Sequence, residues 1–277
     1  MRANLGAVDP DIVAHYAVGH EADRLSTWGL LERERTIALL GRHLPPPPAT
    51  VLDVGGGPGV YAVHLARAGY AVHLVDPVEL HVTQALEASA RAPDTPLAGA
   101  TVGDARALEA PDGGADAVLL LGPLYHLVER ADRLRALREA RRVLRPGGVL
   151  LAAAISRFAS TIDGLAKEAL ADPLFETMID GDLRDGIHVN PDPTGRPSWF
   201  TTAYFHRPEE LGAEVAEAGF ALEALVGVES VGTHLPDAAA WLGDPVLRER
   251  LMRAITRVEE EPALLGASPH LLAVGRA

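Results

Sequence analysis

Two short stretches hold residue types that could do chemistry. In "VLDVGGGPGVYAVHLA" (51–66) an acid, Asp53, precedes Gly55, Gly56, Gly57 and Gly59, giving the spacing D-x-G-x-G-x-G. Glycine lets backbone approach a ligand with no Cβ in the way and takes dihedrals that other residues avoid, so this turn predicts a bound ligand. In "GPLYHL" (122–127) Tyr125 stands beside His126. An imidazole titrates near neutrality and can take a proton from a reacting hydroxyl, while the neighbouring phenol can orient the molecule that loses it. Two further acids close apolar runs, Asp76 in "AVHLVD" (71–76) and Asp104 in "LAGATVGD" (97–104).

These residues need elements to position them. Val51 to Val54 reads as a buried strand, and Val60 to Ala68 as a helix closed by Gly69. Strands follow at 71–76, 97–104, 116–122 and 149–155, with helices from Val78 to Ala92 and from Ala131 to Leu144, the latter stopped by "RPGG". Alternation of this kind predicts an α/β fold, a Rossmann-like, doubly wound sheet with its ligand crevice outside the carboxyl ends of the strands. "RPEELGAEVAEAGF" is a Pro-started helix, and two more strands, near 221–231 and 270–276, bring the expectation to a seven-stranded mixed sheet.

Four segments result. Residues 1–44 are expected to form an N-terminal helical lid, set off by "PPPP" (45–48) as a stiff spacer; 45–155 form the ligand-binding core; 156–206, acidic, aromatic and irregular, form a substrate-cap insertion after the fifth strand; and 207–277 complete the sheet.

Composition excludes several classes. With 25 basic against 38 acidic side chains the formal charge is −13, which repels polyanions, so a nucleic-acid partner is not expected. The chain has no cysteine, hence no disulfide or thiolate chemistry, and its first residues lack the pattern of a signal peptide. No apolar run approaches the roughly 20 residues of a membrane span, and a cytoplasmic protein, monomer or homodimer, is expected.

The glycine turn, Asp76, Asp104 in "GDA" and "LRPGGVL" (144–150), in that order, resemble the class I S-adenosylmethionine-dependent methyltransferases of the bacterial small-molecule type. Through Gly57, Gly59 and Ala62 the turn also fits a G-x-G-x-x-A fingerprint of NAD(P)-binding oxidoreductases, which share only the first two features. The resemblance implies S-adenosyl-L-methionine as cofactor and S-adenosyl-L-homocysteine as product. It implies the methionine end on Asp53, Gly55, Gly56, Gly57 and Gly59, with the Leu121 and Gly122 carbonyls facing its amine. The ribose falls to Asp76 and Pro77, and the adenine to Gly103, Asp104 and Ala105. Tyr16 is expected to close over the cofactor, and Tyr125 and His126 to flank the methyl acceptor, His126 as general base. The acceptor is then a small metabolite, natural product or short peptide, methylated on O, N or C. "GPLYHL" departs from the N-P-P-[YF] pattern of methyltransferases acting on the amino groups of nucleic acid and glutamine. A non-catalytic cofactor-binding partner or sensor is the other reading. No metal is expected, because His188, Asp180, Asp182 and Asp185 lack tight ligand spacing.

Overall fold

The computed structural model describes residues 12, 15, 16, 24, 25, 27, 29–192 and 199–277. In chain order these form α1 (Leu30–His43), β1 (Thr50–Val54), α2 (Val60–Arg67), β2 (Ala71–Asp76), α3 (Glu79–Ala90), β3 (Gly99–Val102), β4 (Ala115–Leu120), α4 (Pro123–His126), α5 (Arg130–Val143) and β5 (Leu144–Ile155). After these come α6 (Ala159–Ala166), α7 (Pro173–Asp185), β6 (Ile187–His188), β7 (Ala203–Tyr204), α8 (Pro208–Glu217), β8 (Ala221–Gly227), α9 (Ala238–Gly243), α10 (Pro245–Thr256), α11 (Pro262–Leu265) and β9 (His270–Arg276).

Seven strands make one sheet in the order β3-β2-β1-β4-β5-β9-β8, as the alternation predicts. The first five pair in parallel, and β9 runs antiparallel to both β5 and β8. Strand order reverses between β1 and β4, so the connections leaving their carboxyl ends diverge and open a crevice there.

Both faces of the sheet are covered, which is why its central strands read as continuous apolar runs. Alternate residues serve opposite faces. Leu52, Val54, Val118, Leu120 and Leu150 pack with Leu137 of α5 and with Leu211 and Val215 of α8. Val51, Leu74, Leu119 and Leu151 pack with Leu39 and Leu40 of α1 and Leu65 of α2.

Helix α1 is therefore core rather than cover. Its Arg35 is buried, donates to the Val228 carbonyl at 2.9 Å and pairs with Glu259. The lid expected over 1–44 falls, before Leu30, mostly outside the described residues.

The segment expected to be irregular contains two helices. Asp172 caps α7 by accepting from Leu174 N, Pro173 opens it, and Gly186 closes it in the left-handed region. Phe175, Met178 and Ile179 form its buried stripe, with Trp199 against it. Acidic composition masks this spacing in the sequence. The segment leaves and rejoins the sheet at one point: Arg157 N donates to His206 O at 2.7 Å, and His206 N to Ile155 O at 2.8 Å. Among the described residues no helix is long and apolar enough to cross a membrane.

Candidate active site

The glycine turn follows directly from β1 and is pinned to β2 by Gly55 N donating to Val75 O at 2.7 Å. Gly55 has φ +69°, and a Cβ there would lie 2.6 Å from Pro123 Cδ; at Gly56 it would lie 2.8 Å from Asp53 Oδ2. Side chains are thus excluded by space as well as by dihedral. Gly59 was expected to touch ligand, but it lines neither cavity of the crevice. Its place is structural, since a Cβ on it would meet Ala85 of α3 at 3.0 Å.

Behind the turn lies Asp53, 1% exposed, and among the described residues neither carboxylate oxygen has a hydrogen-bond partner. Burial, and then the neighbouring charge of Asp76, push its pKa up to about 7. An unsatisfied buried carboxyl is costly, so this one suits a donor, and a cationic donor above all. It lines a small cavity of about 70 Å³ together with Gly55, Gly56, Gly57, Leu121 and Gly122.

A larger cavity, about 550 Å³, shares Gly55, Gly57, Gly122 and Tyr125 with the small one and extends past Asp76, Pro77, Gly103, Asp104 and Ala105. The sequence thus brings together most of the residues it singles out, but two acids stand differently from expectation. Asp76 Oδ2 accepts from Gly57 N at 2.9 Å, while Oδ1 accepts from Val78 N at 2.9 Å and lies 3.0 Å from His81 Nδ1. Of about four lone-pair sites three are in use, so this carboxylate builds the turn and keeps one site for a hydroxyl rather than two.

Asp104 is held by Arg106. The backbone N of Arg106 donates to Oδ1 at 2.8 Å, and its guanidinium reaches both oxygens, at 2.7 Å to Oδ2. Burial works to raise the pKa of Asp104, but the hydrogen bonds and charge of Arg106 hold it below the ordinary carboxylate value. Arg106 also bonds Asp132 at 2.8 Å and itself lines the large cavity. Sequence reasoning missed it; its signal was an arginine two residues after a strand-end acid, the spacing of a short side-chain to backbone turn.

Tyr16, the expected lid aromatic, lines the large cavity, and its hydroxyl lies 2.7 Å from His126 Nε2. Tyr125 lines both cavities and stacks edge-on against His126, ring centroids 4.7 Å apart. His126 is a poor base in this setting. Burial first, and His15 second, push its pKa down to about 3, and its Nε2 is the atom that faces the Tyr16 hydroxyl. The general-base role expected from its position is corrected accordingly: the ring stays neutral at physiological pH and ties residue 16 to α4.

His188 belongs to the insertion's interior. It bonds Asp182 through Nδ1 at 3.0 Å and the Trp199 carbonyl through Nε2 at 2.8 Å. The expectation that it forms no metal site with its neighbouring acids concerns other residues than those the fold gathers. Glu32, Glu229 and His270 bring one potential ligating atom each within 4.8 Å of one another, beside the small cavity.

With this geometry in hand, comparison with known proteins is informative. Residues 51–148 match the family model described as "Methyltransferase domain". The chain is similar to a malonyl-[acyl-carrier protein] O-methyltransferase of Methylococcus capsulatus, 36% identical over 124 residues, 43% of each protein. It is also similar to a ubiquinone biosynthesis O-methyltransferase of Caulobacter vibrioides, 28% identical over 201 residues, 71% of this chain and 70% of that one. The first match thus spans less than half the relative's length. Among solved structures, a SAM-dependent methyltransferase from Methanosarcina mazei aligns with a TM-score of 0.58 at 17% identity, covering 86% of this chain and 96% of that one, a likeness of fold.

Proposed function

The chain belongs, through its sheet and residues 51–148, to the class I S-adenosylmethionine-dependent methyltransferases, and on that premise we propose that it methylates a small-molecule acceptor, at oxygen in preference to nitrogen or carbon. One observation carries the reading: a buried carboxyl with no hydrogen-bond partner among the described residues, Asp53, lies behind a turn too tight for side chains and lines a small cavity that shares Gly55, Gly57, Gly122 and Tyr125 with one of about 550 Å³.

The residues fit the cofactor. Asp53 offers its two free acceptor oxygens to the ammonium of the methionine end, and ionises when that cation neutralises it. The glycine turn lets backbone come close. Asp76, Pro77, Gly103, Asp104, Ala105 and Arg106 line a space suited to the nucleoside. The cofactor supplies, when bound, a methyl group on a sulfonium, an electrophile that needs only an aligned nucleophile. What the chain adds is alignment, a cavity screened from water and a place for any proton that leaves.

Oxygen is favoured because both named relatives are O-methyltransferases. A net charge of −13 supports a small acceptor over a polyanion. Calorimetry with S-adenosylhomocysteine tests the premise. Binding that Asp53→Ala weakens about tenfold or more is expected; tight binding of NADH with none of S-adenosylhomocysteine would overturn it.

A further inference from the structure

Two histidines of the crevice stand in opposite settings. His270, the first residue of β9, lines the small cavity, and its Nδ1 lies 2.5 Å from Glu229 Oε1 and 3.9 Å from Glu32, which is paired with Arg24. Burial works to lower its pKa, but Glu229 and Glu32 outweigh burial and the opposing Arg24 and raise it to about 9, so the four side chains form a charge cluster balanced within itself. His81 is matched on one nitrogen only. The third residue of α3, it is 3% exposed and lines the large cavity together with Asp76. Its Nδ1 lies 3.0 Å from Asp76 Oδ1, and among the described residues its buried Nε2 has no hydrogen-bond partner.

A carboxylate facing Nδ1 takes the proton of that nitrogen and fixes the tautomer, which leaves the lone pair on Nε2. A buried acceptor of this kind costs free energy unless a donor meets it. Tyr16 does not supply that donor. Its ring packs edge-on against His81, centroids 5.3 Å apart, but its hydroxyl lies against Nε2 of His126.

The nucleoside that the large cavity suits brings two donors on adjacent carbons, the hydroxyls of its ribose. Asp76 has one lone-pair site left for them, because Gly57 N, Val78 N and His81 use the other three. Asp104 and Asp132, on the same cavity, are both tied to Arg106. One hydroxyl is therefore left over beside one unmatched acceptor. The chain brings the pair to the same wall by a local route, since Asp76 ends β2 and His81 falls in the first turn of the helix that follows.

We propose that the ribose diol is divided between two residues: Asp76 accepts one hydroxyl, and His81, oriented by Asp76, accepts the other through Nε2. His81 is thereby a specificity-determining residue of the cofactor site, one that demands an intact diol. This rests on the methyltransferase reading. The acid at the end of β2 then has a double task, holding one hydroxyl itself and holding the imidazole that takes the second.

Two amide substitutions separate the nitrogens of the ring. In His81→Asn the amide stands where Nδ1 does and keeps a donor for Asp76, but nothing reaches the place of Nε2; in His81→Gln the longer side chain reaches it. Calorimetry with S-adenosylhomocysteine and with its 2′-deoxy and 3′-deoxy analogues reads the difference. His81→Asn is expected to weaken S-adenosylhomocysteine by about fivefold or more, and to weaken one of the two deoxy analogues by less than about twofold, because that analogue lacks the hydroxyl His81 receives. His81→Gln should recover part of the loss. Equal weakening of all three ligands in His81→Asn, the pattern of a merely structural histidine, overturns the proposal, and so does undiminished affinity for S-adenosylhomocysteine. Nitrogen-15 NMR of the histidine-labelled wild type needs no variant: a proton on Nδ1 and a bare Nε2 are expected for His81 at high pH, and a proton on Nε2 instead overturns the proposal. A wild type that binds none of the three ligands overturns the methyltransferase reading and the proposal with it, whereas the other outcomes overturn the proposal alone, so the two failures are distinguishable.

Discussion

The hydroxyl of Tyr16 lies 2.7 Å from Nε2 of His126, joining two residues 110 apart in the chain above the large cavity. The bond places a neutral imidazole where the segment position alone had promised a base, and makes His126 a tether for Tyr16 on the wall of the large cavity.

Tyr16→Phe removes that bond and keeps the ring. We expect S-adenosylhomocysteine affinity to fall about two- to tenfold, the worth of one hydrogen bond, with no change in the pH dependence of turnover. Calorimetry and a pH–rate profile check both halves. An acid limb that vanished in His126→Ala would restore histidine 126 to the proton path.

Asp53 sets function against stability. Its pKa is raised from 3.8 to about 7, so the folded chain binds a proton there that the unfolded chain has lost, and its contribution to stability falls as pH climbs from about 4 through 7. Asp53→Asn should therefore melt higher than the wild type at pH 8 and lose that advantage at pH 5. Ligand affinity should move the other way: S-adenosylhomocysteine binding by the wild type strengthens between pH 6 and 8, and the asparagine variant is weak throughout. Paired melting and calorimetric series at the two pH values test it.

Asp76 is expected to behave as a structural acid. Its oxygens serve Gly57 N, Val78 N and His81, so Asp76→Ala leaves buried donors unsatisfied and should cost about 1–3 kcal/mol in unfolding free energy as well as weakening cofactor binding. Denaturant titration separates this from a residue that merely touches ligand, whose loss would leave stability intact.

His270 leaves a signature in unfolding too. Its pKa is raised from 6.5 to about 9, so the stability it contributes is fully present below 6.5 and is lost as pH rises through 9. Melting temperature measured from pH 6 to 10 should show this decline in the wild type, and a flatter course in Glu229→Gln.

What could be read from the sequence was local. The turn at 53–59, the acids that close β2 and follow β3, and the sheet's seven strands all follow from short-range pattern, because apolar runs and glycine spacing are set by neighbours along the chain. The charge cluster beside the small cavity was not local. His270, Glu229 and Glu32 arrive from the two ends of the chain, and nothing near any of them marks it as part of a group. The setting of His126 was hidden for the same reason, since the residue that meets its Nε2 is remote. Arg106 and the cap at Asp172 were legible in principle, as a side-chain turn and an Asp-Pro helix start, but lay beneath the acidic composition around them.

The meeting of Arg157 and His206 at the end of β5 gives the chain a seam. Because a long excursion begins and ends on adjacent backbone, cutting it out and joining the edges asks nothing of the register of β5 or β9. The same seam is the natural point for grafting: a chimera that keeps Arg157 and His206 and exchanges what lies between them should acquire its donor's taste in acceptors while holding the cofactor as before.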